Sequence, residues 1–221
     1  SEGRRLDGAL RRYAWGLATA IAVVILWVSL TQGSLVAGSA DASGYLNESR
    51  LWGRGTLHVE PRTVPVPFVY EMQPLAPLGF RPAPSGDRLV PTYPPGLPLA
   101  MAAFNRVAGH GAEFLVVPMA ASVLGLLAFL LGREIGGPVA GLFASAMTAA
   151  SPTVLFQSLQ PMSDVPAAAG LTLAFVLLAR PSMGAALGAA VAVIAACLTR
   201  PNLFAMVPLL GLAVLWWEST W

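Results

Sequence analysis

The sequence has few charged residues and lacks lysine altogether. Charged residues make up 11% of the 221 residues, whereas a soluble domain carries about 25%. With 56% hydrophobic residues and a mean hydropathy of +0.67, this deficit excludes an ordinary soluble domain. All 13 basic residues are arginine, and alanine, glycine and proline are abundant, which indicates a GC-rich bacterial genome.

Cysteine and histidine are equally scarce. The single Cys197 excludes an intrachain disulfide, and His58 and His110 stand alone, so no set of residues has the spacing of a zinc site. A glycine-rich phosphate loop and the nucleophile elbow of the α/β-hydrolases are also missing. We therefore predict no metal and no cofactor, and we expect no nucleic-acid partner.

The sequence instead contains long apolar segments. A helix needs about 17–25 apolar residues to cross the hydrocarbon core of a membrane. The sequence predicts an all-α fold, namely a polytopic membrane helix bundle of about six transmembrane helices with a long, ordered extracytoplasmic first loop. The predicted apolar segments are residues 13–30, 113–131, 137–156, 165–179, 183–198 and 203–217.

Arginines set the predicted orientation. The first segment follows Arg4, Arg5, Arg11 and Arg12, and positive residues flank the cytoplasmic side of membrane helices. We expect a multi-pass protein of the bacterial inner (cytoplasmic) membrane, whose first segment is a retained anchor because it exceeds the about 7–15 apolar residues of a signal peptide. The predicted division is a cytoplasmic N-terminus at 1–12, a first transmembrane helix at 13–31, an extracytoplasmic loop at 32–112 and a five-helix transmembrane bundle at 113–221.

The loop between the first two segments is the one large polar region. Its 81 residues hold 11 of the chain's 19 prolines, a density that prevents long helices and central strands. Aromatic residues, among them Trp52 and Tyr93, can nevertheless pack. We predict an ordered loop that lies on the bundle, with two short interfacial helices near residues 42–53 and 97–107.

Three charged residues stand at the ends of apolar segments: Asp41, Asp164 and Arg200. The count of membrane crossings puts all three on the outer face, where a charge is costly unless solvated or paired and is therefore a candidate for function. A carboxylate there can act as a general base, and a guanidinium can hold a phosphate through two hydrogen bonds. Simpler roles stay open. Each aspartate can cap the helix that follows it, with Ser43 as a competitor of Asp41, and Arg200 can be an interfacial charge.

Four stretches of sequence carry a family resemblance. They are "DASGYLNESRLWGRG" from residue 41, "PTYPPGLPLAMA" from 91, "QPMSDVPAAAGLTLAFVLL" from 160 and "CLTRPNLF" from 197. In this order, after one helix, they resemble the N-terminal part of the GT-C superfamily of membrane glycosyltransferases, which includes protein O-mannosyltransferases and aminoarabinose transferases. The family pattern is matched at Asp41, Tyr45, residues 93–96, Asp164 and residues 198–201. Ala42 departs from it, because the family usually has glutamate there.

The resemblance implies transfer of a sugar from a polyprenyl-phosphate carrier, with inversion, at the extracytoplasmic face. It implies that Asp41 is the base and Asp164 a second catalytic acid group, and that Arg200, with Tyr45 and Tyr93, binds substrate.

Family members are longer than this chain, which leaves two interpretations. The chain is the N-terminal part of a transferase, or it is a non-catalytic relative that serves as a structural subunit of a larger membrane complex. The expected partners are membrane lipids, a polyprenyl-phosphate-linked sugar and other membrane protein subunits.

Overall fold

The computed structural model describes residues 2–60, 76–85, 88–180, 182–208 and 211–212, of which residues 2–11 are described as backbone. The fold is mostly helical, as predicted. The helices and strands are α1 (Glu2–Gln32), α2 (Ala40–Gly53), β1 (Phe80–Pro82), β2 (Leu89–Pro91), α3 (Gly96–Ala108), α4 (Val116–Ala150), α5 (Pro152–Ser158), α6 (Asp164–Leu178) and α7 (Met183–Thr199). Short 3-10 helices cover Ala112–Leu115 and Pro201–Met206.

Two helical stretches are long and apolar enough to cross a membrane. Arg12–Gln32 has 21 residues and a mean hydropathy of 2.0, and Ala112–Ala150 has 39 residues and a mean hydropathy of 2.5. Large apolar side chains of α1, such as Val23 and Trp27, are exposed, and exposed apolar surface of this kind is typical of contact with lipid or another protein. These stretches indicate membrane association. Helices α6 and α7 are also apolar but shorter.

Helix α4 is a hairpin of two arms. Gly136 and Gly137 leave the helical backbone conformation, and Gly137 has a φ of 80°, which glycine adopts without steric cost. A straight helix would separate Gly132 from Gly141 by about 14 Å along its axis. Instead, a Cβ atom added to Gly132 would lie 3.0 Å from the Cα atom of Gly141. The arms are therefore antiparallel, and the reversal lies at the end of the predicted turn at residues 132–136.

The other predicted segments agree in part with the helices. Segments 165–179 and 183–198 correspond to α6 and α7. The segment predicted as one helix at 137–156 is wrong in its second half, because Ser151 ends α4 and caps α5 by accepting a hydrogen bond from Val154 N. Pro152 lacks a backbone N–H and suits the first position of a new helix. Of the sixth segment, 203–217, residues 209–210 and 213–217 lie outside the described residues, and its first residues belong to the 3-10 helix Pro201–Met206.

Helix α4 is the centre of the helix packing. Helix α1 packs along α4, α6 packs between α4 and α7, and α2 packs against α3. Ile25 of α1, Leu124 of α4, Val165 of α6 and Leu97 of α3 belong to one buried cluster. The arrangement fixes α2 and α3 against one end of the bundle.

The predicted interfacial helices correspond to α2 and α3. Between them, β1 and β2 form an antiparallel pair in which Phe80 lies opposite Pro91. The residues that precede β1 pack on α2, where Asn47 Nδ2 donates to Leu78 O at 3.0 Å and Gly79 lies against Gly44. The described parts of the loop therefore contact α2, and residues 61–75 and 86–87 lie outside the described chain.

Candidate functional site

The first turns of α2 present one polar face. Asp41, Tyr45 and Glu48 have the i, i+4, i+7 spacing that places side chains on the same side of a helix. Helix α2 is capped by Ser39, whose hydroxyl accepts a hydrogen bond from Ala42 N at 3.2 Å. The interpretation of Asp41 as the cap, or of Ser43 in its place, is therefore wrong. Asp41 lies in the first turn and is exposed.

Tyr93 connects the loop to this face. Its hydroxyl donates to Asp41 Oδ1 at 2.6 Å, and its ring lies 4.7 Å from the ring of Tyr45, tilted by 49°. Gly44 makes room for the ring, because a Cβ atom at this position would overlap Tyr93. Burial and the bond to Asp41 raise the pKa of the Tyr93 phenol, so the phenol remains a hydrogen-bond donor.

Glu48 holds Tyr93 in this position. Its side chain is fully buried, and Oε1 accepts hydrogen bonds from Thr92 N at 3.0 Å and from Tyr93 N at 2.8 Å. Burial raises the pKa of Glu48 from 4.5 to about 7, although the two backbone hydrogen bonds act against the increase. Glu48 is not among the site residues predicted from the sequence. Its helical spacing from Asp41 and Tyr45 is the sequence feature that could have predicted its place in the site.

Tyr45 connects α2 to α6. Its hydroxyl donates to Ser163 Oγ at 2.9 Å, and both groups are buried. Burial raises the pKa of Tyr45 most, the bond to Ser163 lowers it, and the charges of Asp41 and Arg200 act in opposite directions on it. The phenol of Tyr45 therefore lies within the electrostatic reach of both charged residues.

Asp164 and Arg200 form an ion pair. Asp164 is the first residue of α6 and Arg200 follows the last residue of α7, and Arg200 Nη1 donates to Asp164 Oδ1. Both side chains are partly exposed, at 37% and 36%. The residue that precedes α6 is Ser163, so Asp164 is not the N-cap that its simpler interpretation requires.

Helix α3 fixes the end of α7 beside this pair. Gly96, at the start of α3, touches Thr199 so closely that a Cβ atom added to Gly96 would overlap the Thr199 side chain. Thr199 directly precedes Arg200, so the Pro-Pro-Gly turn at residues 94–96 positions both Tyr93 on one side and Arg200 on the other. The predicted turn therefore has a structural role in the site.

The structure brings all five predicted site residues to one end of the bundle, which we call the polar end: Asp41, Tyr45, Tyr93, Asp164 and Arg200. Contacts run without interruption from Asp41 through Tyr93 and Tyr45 to Ser163, the neighbour of Asp164. The end of α1 lies there as well, since Ser29 Oγ donates to Ser158 Oγ at 2.9 Å, close to the start of α6. This arrangement provides an exposed carboxylate, two phenols and a guanidinium.

Ala42, where the resemblance leads one to expect glutamate, lies about 100° around α2 from Asp41 and therefore on another face of the helix. Ala42 is fully buried, so a carboxylate at this position would have to be held inside the protein. Within the described ranges, no group of three or more histidine, cysteine, aspartate or glutamate side chains is placed to hold a metal ion. No known protein family, curated protein or solved structure matches this chain.

Proposed function

We propose that the polar end is the site of a GT-C-like glycosyltransferase module that uses a polyprenyl-phosphate-linked sugar. The observation that carries the proposal is the hydrogen bond from Tyr93 to Asp41 within one network that also reaches Asp164 and Arg200. The four sequence stretches of the resemblance contain every residue of this network, although Glu48 and Ser163 lie outside the matched family pattern.

In the proposed reaction, Asp41, Arg200 and Tyr93 have separate roles. Asp41 accepts the proton of an acceptor hydroxyl, the hydroxyl oxygen forms a bond to the anomeric carbon, and the bond from that carbon to the phosphate oxygen breaks. The lipid phosphate leaves with the electron pair, and the guanidinium of Arg200 stabilises its charge. Tyr93 orients the carboxylate of Asp41, whose other oxygen has no hydrogen bond from the described residues.

The membrane arrangement is part of the same proposal. The two long apolar stretches, the hairpin within α4 and the shorter apolar helices α6 and α7 support a bundle of about six spans in a bacterial inner membrane. The N-terminus lies in the cytoplasm and the polar end faces outward. Trp15 and Arg133, whose guanidinium lies 5.2 Å from the Trp15 ring, then lie near the cytoplasmic end, as the positive-inside rule favours.

A second candidate function is a structural subunit of a larger membrane complex. The observation that favours it is the direct pairing of Arg200 with Asp164, because a paired guanidinium is already neutralised in the absence of substrate. The transferase requires this pair to share Arg200 with a phosphate, whereas the subunit requires the pair only to hold α6 against the end of α7.

The experiment is a transfer assay on purified protein with a panel of polyprenyl-phosphate sugars and an acceptor alcohol. We expect Asp41→Asn to reduce turnover by about 10²–10⁴, the typical loss for a positioned general base. The matched control is Glu134→Gln, which removes an exposed carboxylate near the opposite end of the bundle and should leave turnover unchanged. Near-normal transfer by Asp41→Asn contradicts its role as the base. Absence of transfer by the wild-type protein favours the structural subunit.

A further inference from the structure

A second polar feature lies away from the polar end, between the C-terminal ends of α2 and α3. An open cavity of about 400 Å³ occurs there, within the range of about 300–1,000 Å³ that is typical of small-molecule sites. The residues that line it include Arg50, Arg54, Arg106 and His110. Four groups that can donate hydrogen bonds to an anion thus converge on one concave surface.

One buried carboxylate contacts two of the residues that line this cavity. Glu113 has a fully buried side chain, and its Oε1 lies 3.5 Å from Arg50 Nη2. Oε2 accepts from Gly111 N at 2.8 Å, and the amide of Asn105 lies 2.8 Å from the same oxygen, to which its nitrogen donates. Glu113 therefore neutralises Arg50 and fixes the position of Asn105, which also lines the cavity.

The remaining positive charge is not balanced in the same way. Arg54 and Arg106 are exposed, and within the described part of the chain neither forms an ion pair with a carboxylate. Arg50 and Arg106 lie in the last turns of their helices, where a cation is favoured by the helix dipole. The dipole accounts for the position of Arg50 and for the position of Arg106, each taken alone. It does not explain why Arg54 and His110 face the same cavity.

We propose that this cavity, which we call the basic cavity, binds a phosphate-bearing anion. Guanidinium groups match phosphate oxygens through paired hydrogen bonds and remain charged at every physiological pH. The site is separate from the polar end, because Arg50 lies nine residues from Asp41 in α2, about 14 Å along the helix axis. The phosphate can come from a soluble phosphorylated molecule or from the headgroup of an anionic lipid.

Two probes distinguish the sources, both used on the full chain in detergent. Calorimetry with inorganic pyrophosphate tests the soluble source. Mixed micelles that contain short-chain phosphatidic acid, compared with phosphatidylcholine, test the lipid source. We expect the wild-type protein to bind one of the two phosphate probes saturably, and the probe that binds identifies the source.

The variants test whether the cavity is responsible. We expect Arg54→Gln with Arg106→Gln to weaken binding by about tenfold or more, since two charge-assisted contacts are lost. The control Arg81→Gln with Arg180→Gln removes the same charge from two exposed positions elsewhere and should change binding by less than about twofold. Ala102→Leu fills the cavity without any change in charge and should also weaken binding.

Three outcomes overturn the proposal. They are saturable binding of neither phosphate probe by the wild-type protein, an equal loss of binding in the control pair, and unchanged binding in Ala102→Leu. Because Arg54 and Arg106 are exposed, the thermal unfolding of their double variant should match that of the wild-type protein. If that variant fails to fold, Ala102→Leu decides the result by itself.

Discussion

The two ends of helix α2 contrast in how their charged groups are arranged. At the polar end, Asp41 accepts a hydrogen bond from Tyr93, and Asp164 is paired with Arg200. At the basic cavity, among the described residues, Glu113 neutralises Arg50 and leaves other arginines without a carboxylate partner. The first arrangement is a connected network, and the second is a surface with an excess of positive charge.

The two regions therefore suit different tasks. A connected network fixes the orientation of its members before substrate arrives, and preorganised polar groups of this kind stabilise charge that develops during a reaction. Unpaired guanidinium groups on an open surface instead attract an anion that is already formed. Under the two proposals, substitutions at the polar end should change turnover and stability, whereas substitutions at the basic cavity should change anion binding.

The largest expected effect on stability concerns Glu48, which lies between the two ends. Its pKa in the folded protein is raised to about 7, above the ordinary 4.5, so the folded state binds its proton more tightly. The stability that this proton provides is fully present below about pH 4.5 and is lost as the pH rises through 7. The linkage corresponds to about 3 kcal/mol. Denaturant unfolding between pH 4 and 8 measures it.

Glu48→Gln should remove this pH dependence, because the amide keeps an acceptor for Thr92 N and Tyr93 N but does not ionise. The control Glu60→Gln alters an exposed carboxylate and should leave the pH profile as in the wild-type protein. A steep profile that persists in Glu48→Gln would assign the proton to another group. It would also remove Glu48 as the residue that holds Tyr93.

The next effect compares two glycines of α2, one at each end. Gly44→Ala places a methyl group against the Tyr93 ring and 3.1 Å from Gly79 Cα, and overpacking of this kind costs about 1–3 kcal/mol. Gly53→Ala adds a methyl group where no atom lies within 4 Å. Thermal unfolding should show a clear loss for Gly44→Ala and no loss for Gly53→Ala. Equal effects would show that Tyr93 is not packed on α2 as described.

The smallest effect concerns the bond between α2 and α6. Tyr45→Phe removes the hydroxyl that donates to Ser163 Oγ and leaves that buried oxygen without its donor. We expect a loss of about 1 kcal/mol in the free energy of unfolding. Tyr13→Phe, at an exposed tyrosine of α1, is the control and should have no effect. If the two variants unfold alike, the bond does not couple the helices.

The helical class and the positions of most helices followed from long apolar segments and from proline and glycine. Residues 183–198 carry a nearly unbroken apolar run, and α7 matches this prediction closely. The break at Ser151 was missed because both halves of the segment at 137–156 are apolar, so hydropathy does not change across it. The Ser-Pro pair at residues 151–152 was the local signal, since serine caps helices and proline begins them.

The site was predictable as a set of residues but not as a network. Charge placement at segment ends and the family resemblance identified Asp41, Asp164 and Arg200. Their partners depend on contacts between residues far apart in the sequence, such as Tyr45 with Ser163, which no local pattern specifies. Glu48 was missed because a glutamate in an amphipathic helix is usually solvated, and only the packing of the loop on α2 buries it.

Exchange of the two charges at the ion pair distinguishes phosphate binding by Arg200 from a purely structural role. In the variant with both Asp164→Arg and Arg200→Asp, the pair can form in reverse, and the midpoint of thermal unfolding should return toward that of the wild-type protein from the lower value of Arg200→Asp alone. If Arg200 binds the lipid phosphate at the polar end, the exchanged protein should bind a short-chain polyprenyl phosphate at least about tenfold more weakly, because its guanidinium is displaced and a carboxylate stands at position 200. Wild-type affinity in the exchanged protein would show that Arg200 does not bind the phosphate and has a structural role alone.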